Sequence, residues 1–188
     1  MGRIALLFLG FPIVASTLPA TAEPFGLRIG EPVSNLHVLQ QNSDGSYEIS
    51  PPLPDNDFDS YSVFTTKSGD ICKIVAASSD KKNYILRSFA SVKDKFIRKY
   101  GQPIKDLDFC KTGGGASYCF LGSIHGYRNL TEEIRVKALV LETNWTDPAD
   151  HIKDVYLRPY ASSFHEAHLL ATFSGDGAGE CVGDESSN

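Results

Sequence analysis

Two short runs rich in β-branched and aromatic residues predict a β-hairpin in the first half of the chain. They span residues 61–66 and 71–77. The segment between them, residues 67–70, combines turn-forming side chains with Gly69, which can adopt a positive φ. We therefore predict two antiparallel strands here, the second of which carries Cys72.

The pattern changes to a helical period from residue 89. Ser88 is a suitable N-cap for this segment, and Gly101 followed by Pro103 is a strong stop signal. Charged residues occupy the face opposite the apolar one. The sequence predicts an amphipathic helix over residues 89–100. Its apolar face is formed by Phe89, Val92, Phe96, Ile97 and Tyr100.

Three runs typical of strands follow in the second half, at residues 136–145, 152–160 and 167–174. The breaks between them, at 146–150 and 161–163, are rich in turn-forming residues. Their short spacing predicts an antiparallel meander.

The first forty residues after the N-terminal segment are less regular. Residues 25–30 alternate as in a short strand, and Pro32 can open a short helix that carries Val33, Leu36 and Leu39. The complete order of elements predicts an α+β fold. We expect an antiparallel sheet with helices packed on one face, built from two helix-plus-meander units.

Three short segments resemble those of a group of known proteins. They are residues 25–30, the start of the strand at residues 69–74 and the helix end at residues 99–103. In these segments the sequence resembles small bacterial envelope proteins built from a helix followed by a β-meander, an architecture shared by the β-lactamase inhibitory protein and the small outer-membrane assembly lipoproteins. The resemblance implies a related fold over most of the chain. The sequence departs from the lipoproteins because it has no cysteine for lipidation near its N-terminal segment.

Residues 1–22 have the order of a secretory signal peptide. One cation, Arg3, precedes an apolar run, and the small residues 20–22 match the pattern that a signal peptidase requires. The alternative is a membrane anchor, but the apolar run is too short to cross a bilayer of ~30 Å comfortably. We predict cleavage before Glu23, which leaves residues 23–188 as a single periplasmic or secreted domain.

Composition limits the kinds of partner. The 188-residue chain has a formal net charge of −5 at pH 7, and its positive residues are scattered along the sequence. It therefore offers no basic stripe for nucleic acid and no cationic face for anionic lipid. We expect no nucleic-acid partner and, after cleavage, no integral membrane segment.

The four cysteines predict two disulfides, because an even number in an exported protein indicates pairing. Of the three possible pairings we favour Cys110 with Cys119, since the glycine-rich segment between them can close a tight loop. Cys72 with Cys181 would then tie the tail to an internal strand. The alternative is a zinc site, but the sequence has no Cys-x-x-Cys pair.

An acidic segment suggests calcium binding as one possibility. Asp55, Asp57 and Asp59 stand at alternate positions, as at the start of a calcium loop, where several oxygens converge on a hard cation. The remaining loop pattern is missing, because Ser60 replaces the glycine and Thr66 the glutamate. We favour a solvated acidic loop.

No arrangement of residues in the sequence predicts catalysis. His165 and His168 are three apart and do not match the His-Glu-x-x-His helix, so we interpret them as surface histidines beside a turn. The glycines at 113–115 are not followed by the lysine of a phosphate-binding loop. The sequence has no Gly-x-Ser-x-Gly turn, and paired thiols leave no cysteine nucleophile. We predict a protein that is not an enzyme, with no catalytic residue, metal or cofactor.

These observations favour an exported protein that acts by binding, most of all by binding another protein, as an inhibitor, an immunity factor or an envelope accessory factor does. Tyr118, Phe120 and Tyr127 lie close to the predicted 110–119 loop and are candidate anchors for a partner. One rival function is a small metal-dependent hydrolase that uses the histidines and the acidic loop. Another is a carrier for a small ligand held between helix and sheet.

Overall fold

Eight antiparallel strands and one long helix organise the described part of the chain. The computed structural model describes residues 23–79, 84–108, 134, 141–161, 163 and 166–182. The strands are β1 (His37–Gln41), β2 (Tyr47–Ser50), β3 (Ser60–Thr65), β4 (Ile71–Ala77), β5 (Lys105–Asp108), β6 (Leu141–Ala149), β7 (Ile152–Ala161) and β8 (Ala167–Ser174). The helix is α1 (Ile85–Tyr100), and short 3-10 turns occur at Pro24–Gly26, Val33–Asn35 and Ala178–Glu180.

All eight strands belong to one sheet, in the order β1-β2-β3-β4-β8-β7-β6-β5. Each half of the sheet is a meander in which strands pair with their neighbours in sequence. The two halves meet where β4 pairs with β8, from Lys73 opposite Ser174 to Ala77 opposite Leu170. We call this β4–β8 pairing the seam.

The predicted α+β fold with two helix-plus-meander units is wrong. α1 is the single α-helix whose bounds lie within the described residues, and it lies against β6, β7 and β8 of the second half. The helix expected after Pro32 is one 3-10 turn, Val33–Asn35, and the chain then extends into β1. Pairing with β2 satisfies the backbone groups along one side of β1. The protein is mainly β.

The strand expected at residues 25–30 is also absent. Phe25 and Gly26 have φ values of 57° and 74°, which belong to the left-handed region and are incompatible with a strand. This backbone lets the Phe25 ring enter the core, where its centroid lies 4.9 Å from Tyr61 and 5.5 Å from Phe173. The packing of Phe25 therefore determines the backbone conformation here, and the alternation of apolar and polar residues does not produce a strand.

Other expected elements are present with shifted ends. The hairpin is β3 and β4, and Gly69 in its turn has a φ of 88°. The helix ends as predicted, with the Gly101 amide donating to the Ile97 carbonyl at 2.9 Å. It begins earlier, after Tyr84, so Ser88 lies inside it. In the second half, β7 and β8 match the prediction, whereas β6 extends through Ala149 into the expected turn.

An aromatic cluster connects α1 to the sheet. The Phe96 ring lies 5.7 Å from that of Phe173 on β8, 5.8 Å from that of Trp145 on β6 and 5.6 Å from that of Tyr100. The Trp145 indole is buried, and its Nε1 donates to the Gly101 carbonyl at 2.8 Å. The one polar group of this large ring is therefore satisfied at the point where the helix ends.

An ion pair between a buried lysine and an exposed aspartate fixes α1 to β5. Lys93 is only 7% exposed, and its Nζ donates to both carboxylate oxygens of Asp106. The Thr143 hydroxyl also donates to Asp106, at 3.3 Å. Among the described residues, Asp106 is the carboxylate that pairs with the Lys93 ammonium.

Replacing Asp106 tests the contribution of this ion pair. We expect Asp106→Asn to lower the free energy of unfolding by about 2 kcal/mol, because the mostly buried ammonium of Lys93 loses its hydrogen bonds to a charged carboxylate. Urea denaturation measures the loss. The matched control is Asp147→Asn, which breaks an exposed pair with Lys153 and should have a much smaller effect. Equal losses in the two variants would show that the Lys93 charge is solvated.

Candidate functional site

Several residues to which the sequence assigns a role lie outside the described residues. Tyr118, Phe120 and Tyr127, the candidate anchors, are among them, and so are Cys110, Cys119 and His165. The proposed signal peptide, residues 1–22, also falls outside. The roles assigned to these residues stay predictions.

Cys72 and Cys181 are the described pair of cysteines. Their sulfurs lie 2.04 Å apart, at disulfide distance, which is the pairing that the sequence predicted. Two backbone hydrogen bonds hold the same tail segment: the Gly175 amide donates to the Cys72 carbonyl at 3.0 Å, and the Val182 amide to the Thr65 carbonyl at 2.8 Å. The tail is therefore fastened to the end of the β3–β4 hairpin.

The acidic segment is bound to α1 through a lysine. Lys95 Nζ donates to both carboxylate oxygens of Asp55, at 2.8 and 2.9 Å, and to Asp57 at 2.6 Å. Burial disfavours the charge of Lys95, but the hydrogen bonds to the two carboxylates outweigh it and raise the pKa of the ammonium. Asp59 accepts from the Ser79 amide instead. Asp55 and Asp57 thus converge on the Lys95 ammonium, whereas Asp59 contacts a backbone amide, so the three carboxylates do not surround one common point.

The described residues contain no group of three or more histidine, cysteine, aspartate or glutamate side chains placed to hold a metal ion. His168 lies on β8, where its Nδ1 is 2.9 Å from the Ser78 carbonyl oxygen and donates to it. That hydrogen bond leaves Nε2 as the acceptor nitrogen of the neutral ring. The metal-dependent hydrolase therefore gains no support from the placement of His168, Asp55 and Asp57.

A surface that the sequence analysis did not single out is the face of the sheet opposite α1. Along β7, Val155 and Leu157 are buried towards the helix, so the alternate residues point away from it. Those residues are Tyr156, Arg158 and Tyr160. We call the surface centred on these three side chains the outer face.

The outer face continues onto the neighbouring strands. Tyr156 lies opposite Thr172 of β8, Arg158 opposite Leu170 and Tyr160 opposite His168. Beyond them, on β4, the half-buried Val75 and Ala77 lie opposite Thr172 and Leu170. Tyr156 is 38% exposed and Tyr160 is 48% exposed, which is high for aromatic residues in the middle of a sheet. The surface therefore has two accessible phenol rings beside a partly apolar floor.

The charged residues near the outer face differ in whether they have a hydrogen-bond partner among the described residues. Lys105 donates to Glu142 at 2.8 Å, and Asp154 accepts from the Thr146 hydroxyl at 3.1 Å. Arg158 is exposed, and no ion pair or hydrogen bond connects its guanidinium to another described residue. Five guanidinium donors thus remain available to a carboxylate from outside.

Comparison with known proteins gives no relative. No family model matches the sequence, and neither a curated protein nor a solved structure matches it. Within the described residues, no helix combines the length and hydrophobicity that crossing a membrane requires. Any functional assignment must therefore come from the chemistry of the surfaces described above.

The signal that identifies the outer face was present in the sequence. Residues 152–160 were predicted as a strand, and strand alternation puts Tyr156, Arg158 and Tyr160 together on one face. Tyrosine and arginine on the solvent side of a strand are residue types that are common at the centre of binding surfaces. The residues predicted as anchors were instead aromatic residues near the predicted 110–119 loop.

Proposed function

We propose that this protein is exported and acts by binding another protein through the outer face of its sheet. The observation that carries the proposal is the row of Tyr156, Arg158 and Tyr160. Tyrosine and arginine are the residue types, with tryptophan, that contribute most often to binding hot spots. Export rests on residues 1–22, whose order is that of a signal peptide.

The rigidity of β7 supports a binding role. This strand pairs with β6 on one side and β8 on the other, so its side chains project from a backbone that is hydrogen-bonded on both edges. Tyrosine loses little conformational entropy on binding because it has two χ angles. A partner can therefore bind to an ordered surface without a large cost of rearrangement.

The charge of Arg158 indicates the chemistry of the partner. A guanidinium binds a carboxylate through two parallel hydrogen bonds, and the flanking phenol rings favour an apolar surrounding. The partner is thus expected to present an aspartate or glutamate bordered by apolar side chains. No cofactor is part of the proposal.

Site-specific photocrosslinking tests the surface directly. With a photoreactive phenylalanine derivative at position 160, we expect a discrete crosslinked species in the native envelope fraction. The same group at Tyr84, a residue 61% exposed that directly precedes α1, is the control. Crosslinking at position 84 alone, equal crosslinking at both positions, or none at either would count against the outer face.

The contribution of Arg158 gives a quantitative check. Once the crosslinked partner is identified, Arg158→Ala should weaken its binding by about tenfold or more, as truncation of a hot-spot arginine does. Arg98→Ala changes an exposed arginine on α1 and should leave the affinity unchanged. Calorimetry with the purified partner measures both.

A further inference from the structure

A cleft opens between the first described residues, the loop before β3 and the C-terminal half of α1. Its volume is about 570 Å³, within the range of small-molecule sites. The cleft lies on the helix side of the sheet, apart from the outer face. Its apolar lining includes Phe25, Leu53, Phe96, Tyr100 and Phe173.

The apolar lining consists of a rigid floor and an accessible wall. The four aromatic rings belong to the core cluster and are almost fully covered by one another. Leu53, in contrast, is 68% exposed and stands at the rim. An apolar ligand group placed in the cleft would therefore cover Leu53 while touching a floor that is already formed.

Two lysines on α1, Lys95 and Lys99, border the cleft one helical turn apart. Asp55 and Asp57 neutralise Lys95, as described above. Lys99 Nζ instead donates to the backbone carbonyl of Glu23 at 3.0 Å and lies 5.2 Å from the centroid of the Tyr100 ring. Both contacts suit a cation, but neither supplies a full negative charge.

The surroundings of Lys99 leave its charge only partly compensated. The side chain is exposed, but partial burial of the ammonium at the cleft lowers the pKa of Lys99. The carboxylates of Asp55 and Glu23 raise this pKa by electrostatic attraction, but by less than burial lowers it. A negative charge paired with Lys99 would therefore stabilise the ammonium, whereas the two carboxylates repel any anion and repel a doubly charged one more strongly than a singly charged one.

We propose that this cleft binds a small monocarboxylate with an apolar body. The carboxylate pairs with Lys99, and the apolar body lies against Leu53 and the aromatic floor. Lys99 is the lysine of the cleft that no described carboxylate pairs with, and one such cation beside nearby carboxylates favours one negative charge over the two of a phosphate monoester. This site is independent of the proposed protein-binding surface, because no residue of the outer face lines it.

Octanoate is a suitable probe, with octylammonium as the matched ligand of opposite charge. Calorimetric titration of the full chain should show saturable binding of octanoate and binding of octylammonium weaker by about tenfold or more, because the cation would meet Lys99. Octyl phosphate should also bind more weakly than octanoate. Equal affinities for octanoate and octylammonium, or no octanoate binding, would overturn the proposal.

Two variants with controls locate the site. Lys99→Gln should weaken octanoate binding by about tenfold, the loss expected for one charge-assisted contact, whereas Arg98→Gln on the adjacent exposed position should not. Leu53→Trp should block the cleft, whereas Ile104→Trp adds the same bulk at another exposed position. If Lys99→Gln and Leu53→Trp both bind octanoate as the unsubstituted chain does, the cleft is not the site. Partner crosslinking at position 160 should persist in Leu53→Trp, which separates this result from the proposed function.

Discussion

Removing the bridge between Cys72 and Cys181 is expected to lower the free energy of unfolding by about 5 kcal/mol. The two residues are 109 positions apart, and a cross-link across so long a loop removes about that much conformational entropy from the unfolded chain. In the folded state the bridge holds the tail against β4. We therefore expect the loss of stability to come mainly from the greater conformational entropy of the unfolded chain.

The variant that tests this expectation carries Cys72→Ala together with Cys181→Ala, so that no new free thiol remains. Alanine is the better replacement at position 72 because this side chain is buried. Urea denaturation should also give a larger m-value, since the unfolded chain without the cross-link exposes more surface. One urea denaturation curve gives both the loss in the free energy of unfolding and the change in m-value.

Val182→Ala is the control for the tail itself. Val182 is next to the bridge and exposed, so its truncation should change the stability by less than about 0.5 kcal/mol. Non-reducing peptide mapping should recover Cys72 and Cys181 in one linked fragment. A loss below about 1 kcal/mol in the double variant, or a different partner for Cys72, would contradict the prediction.

Phe173→Ala should lower the free energy of unfolding by about 4 kcal/mol. This buried ring on β8 lies between Phe25, at 5.5 Å, and Phe96, at 5.7 Å, so its removal leaves a cavity among groups that cannot all move. For a domain of this size such a loss corresponds to a fall in Tm of roughly 10 °C. Thermal and urea unfolding measure the two quantities independently.

Two comparisons make the Phe173 result specific. Phe173→Leu retains much of the apolar volume and should lose less than half as much stability. Leu53→Ala removes a largely exposed side chain and should change the stability by no more than about 0.5 kcal/mol. If Phe173→Ala behaved like Leu53→Ala, the aromatic cluster would not be the centre of the core.

Elements that depend on local chemistry could be predicted from the sequence. The turn before β4 needs a residue tolerant of positive φ, and Gly69 supplies it. The end of α1 similarly follows from Gly101 and Pro103. Alternation in β7 and β8 reflects burial of one face against the helix. In each case the residues that determine the structure are neighbours in the chain.

The elements that could not be predicted depend on distant contacts. All five side chains of β1 are exposed, so no alternation marks it as a strand, and its formation depends on pairing with β2. Val33, Leu36 and Leu39 have helical spacing, yet Leu39 is exposed on that edge strand. The spacing was therefore coincidental. The second predicted helix, and with it the α+β fold, was wrong for this reason.

The outer face and the cleft differ in whether the sequence could predict them. The outer face follows from alternation within one strand and was accessible to sequence reasoning. The cleft was not, because its lysines face residues from a loop about forty positions earlier and from the start of the domain. The acidic loop was predicted to be solvated, but Asp55 and Asp57 bind Lys95. This contact joins residues about forty positions apart, which local sequence patterns do not reveal.

The seam between β4 and β8 determines when the domain can complete its core during synthesis. Each meander needs only short loops to close, whereas the seam joins residues such as Ile74 and Phe173, about a hundred positions apart. Phe25 leaves the ribosome early, but the Phe173 ring that it packs against belongs to β8, about 150 positions later. The first half of the described residues therefore carries an exposed apolar surface until β8 has been made, and a chaperone that binds such surfaces has that interval in which to act.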